Sequence, residues 1–109
     1  MRKLYFKVLR KNRYSLGLLG ATPIRYKIGK WTRPKEPISD HPRKGGGLWV
    51  TKTLGGARSI QRDMLKRHKT NTRIFACRIG NVIKRSDEGL HPYSLRVKTD
   101  GVMLLREVK

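Results

Sequence analysis

The sequence predicts an α+β fold, with a mainly antiparallel sheet of about five or six strands and one amphipathic helix packed on it. Several short segments alternate apolar and polar residues, which is the pattern of a half-buried strand. A single longer segment, from Thr53 to His68, instead places its apolar residues at helical spacing. Since the chain has 109 residues and no evident internal repeat, we expect one domain, 1–109.

The strands are predicted from alternation, and the first one shows how. In 3–10, the apolar residues Leu4, Phe6 and Val8 stand at every second position. Near the other end of the chain, Thr99-Asp100-Gly101 has the residue types of a tight hairpin turn, so we expect the last two strands to pair. The predicted strands are 3–10, 24–28, 48–51, 73–79, 93–98 and 102–108.

The connections are predicted from turn residues and charge. Segment 30–47 contains three prolines and ends in three consecutive glycines, so we expect a long, flexible basic loop. Structureless loops of that length are usually functional or disordered. Gly80-Asn81 is predicted to turn the chain, 82–83 to continue the pairing, and 84–92 to form a charged loop.

The helix is predicted to start after Thr53, a good N-cap residue, and to end near His68. Its buried face should consist of Ala57, Ile60, Met64 and Leu65. A different face carries three cations four residues apart, which repel one another unless something negative lies opposite. These cations are Arg58, Arg62 and Lys66.

Charge is the most informative property of the chain. Lys and Arg number 27 and Asp and Glu only 7, which leaves a formal net charge of +20. A small domain with this imbalance repels itself, so we expect it to work bound to a polyanion. The spread of basic residues over several segments favours folded RNA, which presents phosphates from several directions, over a DNA duplex read by one basic face.

Three basic groups are predicted to contact nucleic acid: one in the first loop, one in 30–47 and one on the helix. Solvated turns and a solvated helix face remain the alternative interpretation. The predicted contact residues are Arg10, Lys11, Arg13, Lys30, Trp31, Arg33, Lys35, Arg43, Lys44, Arg58, Arg62, Lys66, Arg67 and Lys69.

The two tryptophans each allow two interpretations. Trp31 lies in the basic segment 30–47, where its ring could stack on an unpaired base. It could equally be a core residue that closes the second strand. Trp49 has the same ambiguity, and because Leu48 and Val50 read as core residues, alternation places it on the opposite face of the sheet.

Other classes of site are not predicted. No apolar run approaches the roughly 18 residues that span a bilayer, and the Arg-rich N-terminus, which suggests a transit peptide, alternates like a strand. The lone Cys77 is predicted to be a buried thiol in a reducing, cytoplasmic setting. His41, His68 and His91 lack metal-ligand spacing, and the glycine runs match no phosphate-binding loop, so no metal, cofactor or small-molecule substrate is expected.

Two resemblances add to this picture. The pattern Tyr26-x-x-Gly29-x-Trp31, followed by Gly47-Leu48-Trp49-Val50 and a helix, is similar to small uncharacterised proteins of phages and archaea. That resemblance covers about half of the chain and implies no activity. Size, charge and the single cysteine also resemble those of small ribosomal proteins, which is a likeness of composition.

The leading hypothesis is a non-enzymatic RNA-binding protein that acts by neutralising phosphates. It would be a component of, or a factor bound to, the ribosome or another large ribonucleoprotein. Its partners would be structured RNA, ribosomal RNA in the first place, and neighbouring ribosomal proteins.

Three alternatives stay open from the residues alone. A small toxin-like ribonuclease would use His68 or His91 with Arg96. A phage or archaeal double-stranded DNA-binding protein is the second, although a single predicted helix excludes a helix-turn-helix. The third is a protein-binding module that docks on an acidic surface.

Overall fold

The computed structural model describes residues 3–16, 24–34, 47–86 and 96–109, with the backbone alone for 84–86. These residues contain one helix and seven strands. The α+β class and the antiparallel pairing are confirmed, with more strands than predicted. The elements are β1 Tyr5–Arg10, β2 Trp31–Thr32, β3 Leu48–Thr51, α1 Leu54–His68, β4 Thr72–Ile79, β5 Val82–Ser86, β6 Arg96–Thr99 and β7 Val102–Val108. The sheet order is β2-β7-β4-β1-β3-β6-β5.

The four last strands form one long hairpin that bends in its middle. β4 pairs with β7, and β5 pairs with β6. The residue pairing keeps the same register across the bend, from Ile79 with Val102 to Val82 with Thr99. At the bend, the Gly80 N–H donates to the Gly101 carbonyl at 2.9 Å and the Asp100 N–H to the Asn81 carbonyl at 3.2 Å. Because β1 and β3 lie between the two halves in the sheet order, the sheet has to curl to keep the hairpin continuous.

The two chain reversals predicted at this place are wrong. β6 and β7 do not pair with each other, and neither do β4 and β5, so Thr99-Asp100-Gly101 and Gly80-Asn81 bend continuing strands. The Asp100 carboxylate accepts hydrogen bonds from the Asn81 backbone N–H at 2.7 Å and from its Nδ2 at 3.0 Å. The turn-forming residues Asn81 and Asp100 thus lie opposite each other in one pair of strands, and their hydrogen bonds stabilise the bend.

The charged loop expected at 84–92 is also corrected, because its first three residues belong to β5 and pair with β6. β6 begins at Arg96, and the earlier part of the predicted strand, 93–95, lies outside the described residues, as does 87–92. The part of β5 that was not predicted, Lys84-Arg85-Ser86, is polar throughout, so it shows no apolar alternation that would indicate a strand.

The expected strand 24–28 is not a strand. It makes only isolated bridges, Tyr14 with Arg25 and Ile28 with Leu104, while Tyr26 packs in the core with 0% exposure. The pairing comes later, where Trp31–Thr32 form β2 against β7. Gly29, at φ +81°, supplies the left-handed turn before β2. The predicted loop 30–47 therefore begins with an edge strand, and 35–46 lie outside the described residues.

Two apolar layers lie on opposite faces of the sheet. The inner layer gathers buried residues from five strands and Tyr26, including Leu9 of β1, Phe75 of β4 and Leu104 of β7. The outer layer lies between the sheet and α1. β1 and β4 contribute alternate residues to both layers, so these two central strands are buried on both faces.

The helix follows its predicted bounds, and Thr53 is its N-cap, with Oγ1 accepting from the Gly56 N–H at 3.0 Å. Ala57, Ile60 and Met64 are buried against the sheet as predicted. Leu65 is not, since 53% of it is exposed. One residue beyond Met64 is about 100° around the helix, which carries Leu65 off the buried face.

Candidate nucleic-acid interface

One end of the sheet carries two of the predicted basic groups. Arg10, the last residue of β1, pairs with Thr72, the first residue of β4, and β4 follows closely after α1. The turn after β1 and the last turn of the helix therefore share this end. We call the resulting set the helix-end cluster, and it comprises Arg10, Lys11, Arg13, Lys66, Arg67 and Lys69.

Within the helix-end cluster, the cations differ in how free they are to reach a ligand. Arg10 is half-buried, and its Nη2 donates to the Leu16 carbonyl at 2.8 Å, so it also holds the turn together. Arg67 forms an ion pair with Asp63 at 3.0 Å. Lys11, Lys66 and Lys69 are exposed. The exposed lysines are the residues most available to an outside anion.

The predicted helix cations, Arg58, Arg62 and Lys66, extend from this cluster along α1. Arg58 is half-buried and its Nη2 donates to the Lys109 carbonyl at 3.4 Å, while Arg62 donates to Ser59 Oγ at 3.2 Å. Both arginines lie outside the buried face of the helix, which consists of Ala57, Ile60 and Met64. The predicted separation of charged and apolar faces is therefore present, and Arg62 and Lys66 project into solvent.

The opposite end of the sheet carries the predicted residues of β2 and its flanks, Lys30, Trp31 and Arg33. Trp31 is 47% exposed, which excludes the interpretation that it is a core residue. Its ring lines an open pocket of about 370 Å³. We call this the Trp31 pocket, and its lining residues are Lys3, Tyr5, Trp31, Arg78 and Ile79.

Sequence reasoning found Trp31 but missed the rest of this pocket. Lys3 lies over the Tyr5 ring, with Nζ 5.2 Å from its centroid, and Arg78 and Ile79 end β4. These residues are 26 to 48 positions away from Trp31 in the chain. They meet because β7 pairs with β2 on one side and with β4 on the other, a relationship that no local pattern reports.

The second tryptophan has a different environment. Leu48 and Val50 are buried and Trp49 is half-buried, which confirms the predicted alternation in β3. The Arg96 guanidinium carbon lies 4.4 Å from the centroid of the Trp49 ring, so this ring already has a cation on its face. Trp31, rather than Trp49, is therefore the ring that can receive a ligand.

The two basic ends are well separated. β4 runs from one to the other with eight residues, which at about 3.3 Å each gives roughly 25 Å. The remaining predicted contacts, Lys35, Arg43 and Lys44, lie outside the described residues, and so does His91. His68, the other candidate for catalysis, is exposed at the end of α1.

The interior holds further titratable groups, and burial controls them. It lowers the pKa of the Lys7 ammonium to about 8, while the nearby Cys77 thiol acts in the opposite direction. Burial raises the pKa of Cys77 to about 12 and that of the Tyr26 hydroxyl even further. Cys77 is fully buried, as predicted. A thiol with this pKa is neutral at pH 7 and a poor nucleophile.

Across the described parts of the chain, no three His, Cys, Asp or Glu residues converge on a point that could hold a metal ion. The same parts contain no helix with the length and apolar character needed to cross a bilayer. The sequence matches no protein-family model and no curated protein.

Proposed function

We propose that this protein binds structured RNA without catalysing a reaction, as a component of, or a factor bound to, the ribosome or another large ribonucleoprotein. The observation that carries the proposal is the placement of exposed cations at both ends of the sheet, roughly 25 Å apart, in a chain of net charge +20. A partner that neutralises both ends has to present negative charge from more than one direction. Folded RNA has this property.

A straight DNA duplex fits this arrangement less well. Proteins that bind a duplex usually concentrate their charge on one face, with one element in a groove. Here the single helix of the described region has its apolar face against β1 and β4, and its cations continue into the helix-end cluster. The second basic group lies at the far end of the sheet and on a separate element, so one element in a groove would not account for both groups.

Filter binding at increasing salt tests the proposal. If about eight cations contact phosphates, the logarithm of the binding constant should fall with the logarithm of salt concentration with a slope of roughly −6 to −7. Structured RNA should compete better than duplex DNA of equal length, and the RNA should be recovered intact. A flat salt response, or preference for the duplex, contradicts the proposal, and cleaved RNA would favour the ribonuclease alternative.

A further inference from the structure

We propose that the Trp31 pocket binds one unpaired nucleotide of the RNA, with its base stacked on the Trp31 ring and its flanking phosphates against Lys3 and Arg78. This inference rests on the proposed function and assigns it a site. It goes beyond charge neutralisation, because it predicts that the protein distinguishes RNA with an accessible base from RNA that is fully paired.

The sheet register places the ring and one cation on either side of the same strand. Trp31 pairs with Met103 of β7, and Arg78 pairs with Met103 from the other side. The backbones of Trp31 and Arg78 are therefore two strand spacings apart, or about 10 Å. A nucleotide whose base stacks on the ring would span this distance and bring its phosphate near the guanidinium, passing over Met103, which faces the same side of the sheet as both residues.

The ring is held in place on one side and open on the other. A Cβ atom added to Gly101 would lie 3.4 Å from Trp31 Cε3 and 3.6 Å from Cζ3, so the ring rests on the backbone at the hairpin bend. The Arg33 Nη1 lies equally close to that position, at 3.4 Å. Nearly half of Trp31 nevertheless remains exposed. A stacking surface that is already oriented loses less conformational freedom on binding.

The chemistry of the lining favours a nucleotide. Trp31 supplies a flat apolar surface, and Lys3 and Arg78 supply positive charge. The volume, about 370 Å³, is near the lower end of the roughly 300–1,000 Å³ typical of ligand pockets. A ligand that is flat, aromatic and anionic satisfies all of these features, and an unpaired nucleotide is such a ligand. An acidic peptide carries the charge without a planar ring.

Tryptophan fluorescence tests the inference directly, because the chain contains only two tryptophans. Trp49→Phe leaves Trp31 as the reporter, and Trp31→Phe leaves Trp49. Each variant is titrated with an RNA hairpin carrying a one-nucleotide bulge, with the same hairpin fully paired, and with one whose bulge is abasic. We expect the bulged hairpin to quench Trp31 and the other two hairpins to leave it unquenched. Trp49 should respond to none of the three.

Binding constants supply a second measurement. Trp31→Ala should weaken binding of the bulged hairpin by roughly 5- to 150-fold, the range found for loss of one base–aromatic stack. Binding of the paired hairpin should change by less than about twofold. Lys3→Gln should reduce the salt slope by about one, whereas Lys27→Gln, which removes an exposed lysine outside the pocket lining, should not change the preference for the bulge.

The outcomes separate this inference from the function on which it rests. Equal, salt-dependent binding of all three hairpins with an unquenched Trp31 would overturn the pocket and leave the RNA-binding proposal in place. Absence of binding to any RNA would overturn both. Quenching of Trp31 by poly-glutamate but not by RNA would also overturn the inference, in favour of an acidic protein partner. If Trp49→Phe does not fold, the same signal follows from subtracting Trp31→Phe from the wild type.

Discussion

The Lys7 ammonium donates a 2.6 Å hydrogen bond to the Trp49 carbonyl and so joins β1 to β3 through the interior. The backbones of these two strands pair at one position, Phe6 with Thr51. The Lys7 side chain therefore adds a second connection between strands that share little backbone pairing. The same ammonium lies 5.3 Å from the centroid of the Tyr26 ring. A cation with a carbonyl and an aromatic face is partly compensated for the water it has lost.

The compensation is incomplete, which predicts that stability rises with pH above 8. Burial lowers the Lys7 pKa from 10.5 to about 8, so between these values the unfolded chain keeps a proton that the native protein has released. The free energy of unfolding should therefore increase with pH, by up to about 3 kcal/mol in total. Cys77 acts in the opposite sense above about pH 9, the ordinary pKa of a thiol, because its native thiol keeps a proton that the unfolded chain loses. The clearest window is thus pH 8 to 9.

Urea unfolding between pH 7 and 9 measures this effect, with Lys7→Met as the comparison. The variant has an apolar side chain of similar length, so its profile should lack the rise that begins near pH 8. Subtracting the two profiles removes contributions from groups that both proteins share. Parallel profiles for wild type and variant would show that Lys7 keeps its charge throughout this range.

Two glycines should respond in opposite directions to the same substitution. A Cβ atom on Gly47 would overlap the Lys98 side chain, coming within 2.8 Å of Cδ and still closer to Cγ and Cε. Lys98 is fully buried and cannot swing aside, so Gly47→Ala should lower the free energy of unfolding by about 1–3 kcal/mol. Gly55, in the first turn of α1, has nothing within 4 Å of that position. Gly55→Ala should stabilise the protein by about 0.5 kcal/mol.

Thermal and urea unfolding of the two alanine variants check this pair. They make the same chemical change in one chain, so a general effect of replacing glycine would shift both in one direction. Equal shifts would show that the overlap at Gly47 is relieved at no cost.

The cap of α1 gives a prediction that depends on one hydrogen bond. Thr53 is exposed and its Oγ1 accepts from the Gly56 N–H, so Thr53→Ala should lower the free energy of unfolding by about 1 kcal/mol. Thr53→Asp keeps an acceptor and adds a negative charge at the positive end of the helix dipole. Its stability should match or exceed that of the wild type. Urea unfolding that finds Thr53→Ala as stable as the wild type would indicate that the cap contributes nothing.

Local signals in the sequence predicted the helix and several strands, whereas the curl of the sheet depends on contacts between residues far apart in the chain. Thr53 and the spacing of Ala57, Ile60 and Met64 defined the helix correctly, because caps and periodicity act within a few residues. Asp100-Gly101 carries the same residue types whether the chain reverses or bends. Only its pairing with Gly80-Asn81 decides between them, and that pairing belongs to the long hairpin.

The candidate site likewise contains some residues that local sequence patterns identify and others that they do not. Trp31 and its cationic neighbours could be found from the interleaving of rings and charges along the chain. Lys3 and Arg78 could not, because they reach the ring across β7, and β2 is a strand only by virtue of that neighbour. Arg10 was predicted from its charge alone, and its bond to the Leu16 carbonyl shows that it also has a structural role.

The helix cations give the sharpest test of how charge and binding are linked. Arg62 and Lys66 lie four residues apart and are both exposed, so the double variant Arg62→Gln/Lys66→Gln removes a repulsive pair. Its free energy of unfolding should stay equal to that of the wild type or rise by a few tenths of a kcal/mol. In filter binding to structured RNA, its salt slope should become shallower by about two, since each lost phosphate contact contributes about 0.9.

The control is Lys27→Gln/Arg106→Gln, which removes the same two charges from exposed positions outside the proposed interface. If net charge alone drives binding, both double variants will weaken it equally and with the same slope. If the cations act where the structure places them, only the helix variant will change the slope. A helix variant with an unchanged slope would place the RNA elsewhere on the protein, because a contacted phosphate releases its counterions irrespective of the total charge.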